Sequence, residues 1–252
     1  MARLQLAANN MKALAAGADG CKAGWVLAWR YEDETGERSA LALEPTFKSL
    51  LDWHENQGRP PLALDVPIGL ETNGGSRSCD KKAREELKGR ASSVFTPPGR
   101  FLLQFHDRPY KEIRAEVERR QTRGEPVHGI SAQAAALLPK IHEVDSALRT
   151  DPSLHEMVFE VHPELCFQRA RGATLPPKRS PAGQLERLAF VEREFGDVRP
   201  LLADAWWQTS DADLTDVLDA FAALNSAMSW PDGVDCLGGE TDDEGLPKRM
   251  VV

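Results

Sequence analysis

The sequence lacks the features of membrane and secreted proteins. No apolar run approaches the roughly 18 residues that a membrane-spanning helix needs, and residues 1–16 lack the apolar core and cleavage site of a signal peptide. The four cysteines are far apart and form no CxxC pair, which disfavours both a disulfide framework and a zinc site. We therefore expect reduced thiols, a cytoplasmic protein and no membrane partner.

An overall basic charge is also missing. The formal net charge is −8, which disfavours a large, sequence-independent nucleic-acid footprint, because phosphate binding needs a basic face. Locally the balance reverses, since residues 77–123 hold 13 Lys and Arg against 7 Asp and Glu. This basic region suits an anionic ligand of limited size, and a solvated helical surface explains it equally well.

Length and composition indicate a globular protein. The 252 residues, of which 41% are hydrophobic and 28% charged, are enough for one large domain or two small ones. No internal repeat and no long linker is visible. We predict a single domain over residues 17–252, with residues 1–16 as a loosely ordered lead-in.

Hydrophobic periodicity predicts alternating strands and helices. The predicted strands are a first strand with Asp19 and strands at 25–29, 38–44, 61–65, 157–162 and 249–252. The predicted helices are 46–56 with Thr46 as N-cap, 76–90, 107–123, 131–149 with a kink at Pro139, 164–171, 182–195 and a last helix around 215–224. The pattern indicates an α/β protein.

The predicted last helix carries two carboxylates on one face. Asp216 and Asp219 are three residues apart, one helical turn, on a face that is otherwise small and apolar. Two like charges on a half-buried face repel each other and are costly to desolvate unless a cation lies between them. Alternatively, Asp216 is a first-turn carboxylate that the helix dipole favours, and Asp219 is simply exposed.

Further acidic residues fall at the ends of predicted strands. Asp65 follows an unbroken apolar run, which is typical of a buried central strand, and ligand crevices lie outside strand C-termini in open α/β sheets. Asp65 is otherwise a helix cap or turn residue. Glycines around Asp19 allow close backbone approach to a ligand or a bulge. Glu160 and His162 share one face of their strand and offer a further ligand and a proton shuttle, or else Glu160 pairs with an arginine and His162 packs beside Pro163.

Carboxylates that converge on one point repel strongly unless a divalent cation neutralises them. Oxygen-only ligation points to Mg²⁺ or Mn²⁺. Two such ions about 4 Å apart activate a water and stabilise the leaving oxygen in phosphodiester hydrolysis.

Six ordered blocks over residues 17 to 230 resemble a family first catalogued as domain of unknown function 429, a predicted-nuclease family of the ribonuclease H-like superfamily. The blocks are GADGCKAGWVLA, ALDVPIGL, CDKKAREELKGRASSVFTPPGR, SAQAAALLPKIHEVD, FEVHPELCF and TDVLDAFAAL. The resemblance implies a ribonuclease H-like mixed five-stranded sheet flanked by helices, with a helical insertion at about 71–150 after the fourth strand.

The resemblance also implies a site. Superfamily relatives carry an acidic residue in the first strand, another at the end of the fourth strand and one or two in the last helix, and Asp19, Asp65, Asp216 and Asp219 match these positions. We therefore expect a nuclease that hydrolyses a nucleic-acid phosphodiester by a two-metal mechanism with Mg²⁺ or Mn²⁺, with these four residues and Glu160 as catalytic residues. The alternative is a non-catalytic ribonuclease H-like module that binds a nucleotide or a protein. A phosphotransferase of the sugar-kinase and actin branch is less favoured, because that branch has two ribonuclease H-like cores and only one is visible here.

Basic and hydroxyl side chains are candidates for gripping the substrate, chiefly because Arg binds phosphate in a bidentate manner. The predicted substrate-binding residues are Arg84, Arg90, Ser93, Arg100, Lys140 and Lys178. Taken individually, the three arginines and Lys178 are better explained as surface charges than as ligands. A solvated helix face explains Lys140 about as well as a role in the site. Trp206 and Trp207 offer a surface on which a base stacks, although core packing explains them better.

Overall fold

A computed structural model describes residues 11–203, 211–230 and 235–252, and all structural statements refer to these residues. The first ten residues of the predicted lead-in and the pair Trp206–Trp207 lie outside the described residues.

The described elements alternate between strands and helices. In chain order they are β1 (Ala13–Cys21), β2 (Gly24–Asp33), β3 (Gly36–Glu44), α1 (Phe47–Asn56), β4 (Leu62–Leu64), α2 (Ser78–Leu87), α3 (Tyr110–Thr122), α4 (Ala132–Thr150), β5 (Val158–Val161), α5 (Pro163–Arg171), α6 (Pro181–Phe195), α7 (Arg199–Leu202), α8 (Leu214–Met228), β6 (Cys236–Thr241) and β7 (Pro247–Val251), with 3₁₀ turns at Lys88–Ser93, Arg100–Phe105 and Pro152–Glu156.

The chain divides into two compact units. The first unit comprises Met1–Asp65, Met157–Val234 and Val252, and the second comprises Val66–Glu156 and Asp235–Val251. The second unit therefore contains the predicted insertion at 71–150 together with β6 and β7. That the chain is a single domain over 17–252 stays a prediction.

The first unit is built on five strands in the order β3-β2-β1-β4-β5. β2 is antiparallel to both β1 and β3, whereas β4 is parallel to β1 and to β5. The apolar runs at 25–29 and 62–64 are buried throughout, as expected for strands covered on both faces. The tight turn between β2 and β3 is closed by Asp33, whose carboxylate accepts the Thr35 backbone N–H at 2.8 Å.

Helices cover both faces of these five strands. On one face, α1 packs its Phe47 ring 5.3 Å from Trp25, and its Trp53 ring lies 5.4 Å from Trp29. α1 starts where the sequence predicts, because the side chain of Thr46 accepts the Ser49 backbone N–H. On the other face lies α8, whose Phe221 ring is 5.3 Å from Phe195 of α6.

Gly17 of β1 allows α8 to lie directly on the sheet. A Cβ at this position would be 2.0 Å from the Leu224 backbone nitrogen and 2.4 Å from the Ala220 carbonyl oxygen. Only glycine permits this separation between strand and helix backbones. The close contact fixes the height of α8 above the β1 strand.

The second unit contains α2, α3, α4 and the antiparallel hairpin of β6 and β7. A fully buried ion pair joins Arg77 to Asp80 in the first turn of α2. Ser131 caps α4, and Pro139 lies inside this helix, which continues through it to Thr150.

The structure corrects three of the sequence-based predictions. The sheet has seven strands, not five, because β6 and β7 add a hairpin in the second unit. Residues 13–16 of the predicted lead-in are the start of β1, where Ala13, Ala15 and Ala16 are buried. The basic helix predicted over 76–90 ends at Leu87, because Lys88 takes a positive φ of 41° that an α-helix does not accept.

In the part of the chain that is described, no helix combines the length and hydropathy that crossing a bilayer requires.

Candidate metal centre

Three carboxylates of the first unit meet at one point. Asp19, Asp65 and Asp219 each offer an oxygen atom, and these oxygens lie within 4.8 Å of one another. Asp19 and Asp219 are buried, and Asp65 is partly buried. We refer to these three residues as the carboxylate cluster.

The parallel pairing of β1 with β4 brings two members of the cluster together. Ala18 is in register with Leu64, and the Asp65 backbone N–H donates to the Ala18 carbonyl at 3.0 Å. Asp19 and Asp65, each one residue further on, are therefore neighbours at the same end of their strands. Side chains alternate between faces along a strand, so Asp19 lies on the same face as Gly17, the face that α8 covers.

The helix α8 supplies the third carboxylate. Its first turn is closed by Asp213, whose carboxylate accepts the backbone N–H groups of Thr215 and Asp216 at 2.7 and 3.2 Å. Because Gly17 lets the helix approach β1, Asp219 lies buried against the strand that carries Asp19. The capped N-terminus and the glycine contact together determine where Asp219 points.

Asp216 is one turn before Asp219 but lies outside the cluster of described carboxylates within 4.8 Å. Its carboxylate accepts the Asp213 backbone N–H at 2.9 Å and so completes a capping box. The Asp216 charge nevertheless acts on the cluster, because it contributes to raising the pKa of Asp19.

Burial and mutual repulsion shift the cluster toward its protonated forms. Burial, followed by the charges of Asp65 and Asp219, raises the pKa of Asp19 well above its ordinary value. Burial and the Asp219 charge raise the pKa of Asp65 to about 7. Burial also raises the pKa of Asp219. A group of carboxylates that resists ionisation in this way favours a cation that neutralises it.

Lys178 is the cation that the chain itself supplies. Its ammonium nitrogen lies 2.8 Å from Asp219 Oδ2, and its side chain is 46% exposed. Burial alone would lower the pKa of Lys178, but the charge of Asp219 and the hydrogen bond to it outweigh burial and raise this pKa. Lys178 therefore lies beside the carboxylates, and its predicted role as a substrate-binding residue stays a prediction.

Glu160 is not brought to the cluster. It is buried in β5, in register with Leu64, and Leu64 is in register with Ala18. These residues occupy the face of the sheet opposite to Gly17 and Asp19. Its neighbour Phe159 lies on the α8 face, where its ring stacks on Trp230 at 4.8 Å. The predicted role of Glu160 as a further metal ligand therefore has no geometric support.

The other predicted substrate-binding residues belong to the second unit. Arg84 donates to the Val94 carbonyl and to the hydroxyls of Ser76 and Thr96. Ser93 donates to the Arg90 carbonyl, and Lys140 lies half-buried on α4. Arg100 is mostly buried and paired with Asp145 and Asp242, so its charge is met within the protein.

A buried ion pair near Asp219 was not predicted from the sequence. Arg187 donates to Glu164 Oε2 at 2.5 Å, and only 1% of its side chain is exposed. The Arg187 charge acts to lower the pKa of Asp219. Arg187 lies three and four residues before the buried Phe190 and Val191, so helical spacing places it on the buried face of α6. Periodicity does not identify Glu164 as its partner.

Cys166 is a buried thiol within electrostatic range of the carboxylate cluster. Its sulfur is 3.1 Å from the Ser226 hydroxyl. Burial, together with the charges of Asp65 and Asp219, raises the pKa of this thiol to about 11. The thiol therefore stays protonated at neutral pH, whereas the reactive form of cysteine is the thiolate.

The donor set of the cluster fits a hard divalent cation. All three ligands are carboxylate oxygens, which suit Mg²⁺, Mn²⁺ and Ca²⁺ better than softer metals. Three negative charges held this close are costly in a partly buried site without such a cation.

Fold and site together define an α/β protein with a buried carboxylate cluster at the end of two parallel strands. The profile of one protein family, described as "Protein of unknown function (DUF429)", matches residues 17–243. The chain therefore belongs to this family. Comparisons with curated proteins and with solved structures give no match.

Proposed function

We propose that the protein is a metal-dependent phosphodiesterase, with a nucleic acid as substrate and a ribonuclease H-like core in its first unit. The observation that carries the proposal is the meeting of Asp19, Asp65 and Asp219 within 4.8 Å. The three residues come from the first strand, the end of the fourth strand and the last long helix. The sequence resemblance to the ribonuclease H-like superfamily implies acidic residues at those same places.

The roles of the residues follow from their positions. Asp19, Asp65 and Asp219 would hold Mg²⁺ or Mn²⁺, and Asp216 is the nearest further carboxylate on α8 for a second ion. When bound, such ions stabilise negative charge on the phosphate and activate a water. Asp19 and Asp65 are fixed by the sheet and Asp219 by a capped helix, so the ligands are preorganised. Lys178, with its half-exposed side chain, is the chain's own positive charge at this place.

One observation favours the second candidate, a non-catalytic module that binds a nucleotide or a protein. The ammonium of Lys178 already pairs with Asp219, so the chain partly neutralises the cluster without a metal. In that case the cluster is a structural network, and added divalent cations have no effect on it.

Hydrolysis by matched variants tests the first proposal. The wild type is incubated with Mn²⁺ and with branched DNA, RNA–DNA hybrid and single-stranded substrates. Asp19→Asn removes a member of the cluster, and Asp52→Asn removes an exposed carboxylate on α1 that pairs with Lys48. We expect Mn²⁺-dependent cleavage that falls more than about 100-fold in Asp19→Asn, as is typical when a metal ligand is lost. Asp52→Asn should cleave like the wild type.

Equal cleavage by the wild type and Asp19→Asn would contradict the proposal. Cleavage that persists in EDTA would contradict it as well, because the cluster would then not need a cation.

A further inference from the structure

We infer that the ammonium of Lys178 is a built-in counter-cation that competes with the divalent ion for Asp219, so that ion binding displaces it. The inference rests on the proposed function, since it concerns the same carboxylate cluster. It adds a regulation of that site, because the chain sets the affinity for the ion through one side chain.

The position of Lys178 determines the competition. Its nitrogen is 2.8 Å from Asp219 Oδ2, which is hydrogen-bonding distance. Asp219 is also a member of the only described group that could hold a metal through three ligands. A divalent cation coordinated by Asp219 would repel an ammonium at this distance. The lysine and the ion therefore compete for Asp219, and each weakens the binding of the other.

Hydrogen bonds hold the backbone around Lys178 in place, and this positions the lysine for its contact with Asp219. Arg187 donates to the Pro176 carbonyl at 3.1 Å and to the Gly183 carbonyl at 2.8 Å. Ser180 donates its hydroxyl to the Pro177 carbonyl at 2.8 Å and accepts the Gly183 N–H at 3.0 Å. We call residues 176–180 the Lys178 loop.

Close packing on the other side fixes the Lys178 loop against α6. A Cβ on Gly183 would lie 2.0 Å from the Pro177 carbonyl oxygen, so only glycine permits the contact. The two prolines that precede Lys178 restrict its backbone further. Arg187 is itself held by Glu164 and is almost fully buried. The loop is thus built to hold the root of the lysine side chain beside α8.

The side chain itself is free to leave. Its exposed fraction of 46% contrasts with the 4% of Asp219, so the ammonium can move into water while the carboxylate stays in place. A lysine side chain has a flexible stem of four methylene carbons and a strongly hydrated ammonium group. An anchored backbone and a solvent-accessible ammonium are what displacement by an incoming ion requires.

Calorimetric titration of Mn²⁺ at pH 8 tests the inference by binding alone. Lys178→Met removes the competing charge, and Lys178→Arg keeps a positive charge on the same backbone. Lys48→Met is the matched control, because it removes an exposed lysine paired with Asp52 on α1. Circular dichroism and thermal unfolding check that each variant is folded.

We expect Lys178→Met to bind Mn²⁺ about tenfold more tightly than the wild type, which is the scale of one ion pair lost from the competing state. Lys178→Arg and Lys48→Met should stay within about threefold of the wild type on the same scale. Binding by Lys178→Met but not by the wild type would support the inference in its strongest form.

Equal or weaker binding by Lys178→Met would overturn the inference and leave the proposed metal site standing. No binding in any of the folded proteins, Lys178→Met included, would instead refute the metal site, and the inference with it. The two failures are therefore distinguishable in one series of titrations.

Discussion

Replacing Asp65 by Asn should make the metal-free protein more stable above pH 7 and leave its stability almost unchanged below about pH 4. In the folded chain the pKa of Asp65 is raised from 3.8 to about 7, first by burial and then by the Asp219 charge. The unfolded chain releases this proton near its ordinary value. Between about pH 4 and 7 the folded state therefore holds a proton that the unfolded state has lost, and stability falls as pH rises through this window.

The magnitude follows from the size of the shift. One pKa unit corresponds to about 1.4 kcal/mol, so the rise of Asp65 to about 7 corresponds to a loss on the order of 2–4 kcal/mol once the window is passed. Asparagine has the shape of the protonated acid and carries no charge at any pH. The advantage of Asp65→Asn should therefore be on the order of 2–4 kcal/mol at pH 8, fall to about 1 kcal/mol at pH 4.5 and vanish below about pH 4.

Urea unfolding in EDTA, followed by tryptophan fluorescence from about pH 3.5 to 8.5, measures this difference. The matched control is Asp52→Asn, whose carboxylate is 61% exposed on α1. It should stay within about 0.5 kcal/mol of the wild type at every pH.

The reasoning is refuted if Asp65→Asn follows the wild type in parallel across the whole pH range. It is refuted equally if the variant is less stable at pH 8, because the carboxylates would then not be held against their mutual repulsion.

Three further perturbations test the packing and the assignment of the site. Gly17→Ala should cost about 2–4 kcal/mol of unfolding free energy, since a Cβ there would lie 2.0 Å from the Leu224 nitrogen. The control is Gly89→Ala, where an added Cβ would meet nothing within 4 Å. A cost below about 0.5 kcal/mol for Gly17→Ala would show that α8 does not approach β1 this closely. Glu160→Gln should keep the Mn²⁺ affinity of the wild type within about twofold, because Glu160 lies on the opposite face of the sheet; a tenfold loss in calorimetry would make it a ligand after all. Arg187→Met should destabilise the fold by about 3–5 kcal/mol, since it takes the guanidinium away from buried Glu164. The double variant Arg187→Met/Glu164→Leu should recover part of this loss in urea unfolding. A double variant that is no more stable than the single one would argue against the ion pair as the cause.

The positions of the carboxylates were largely readable from the sequence. Asp65 ends a short apolar run that is typical of a buried strand, and Asp219 falls in a clear helical pattern, whereas Asp19 was matched to the first strand by the family resemblance. Local periodicity determines these elements, and the parallel pairing of β1 with β4 then joins the residues that end them.

The face that α8 covers was not readable. Alternation in β5 correctly separates Glu160 from Phe159, but it does not say which side receives the last helix. That choice depends on Gly17, whose missing side chain admits α8 on one face only. Glu160 was therefore included in the site, and the structure places it on the other face.

Long-range ion pairs lie beyond sequence patterns for a related reason. Arg100 was a predicted phosphate ligand, yet it pairs with Asp145 and Asp242, which are 45 and 142 residues away along the chain. Strand β6 was missed because Gly238 and Gly239 interrupt any apolar alternation, and its pairing with β7 defines it. Such features depend on tertiary contacts, which local propensity does not encode.

The measurement that tests the central claim most directly is a calorimetric titration of Mn²⁺ into the wild type and into the Asp19→Asn/Asp219→Asn variant. The carboxylate cluster predicts saturable binding in the wild type, with proton release near pH 7 as Asp65 ionises, and no binding in the variant. Binding of equal affinity in both proteins would place the ion elsewhere and would contradict the assignment of the cluster as a metal centre.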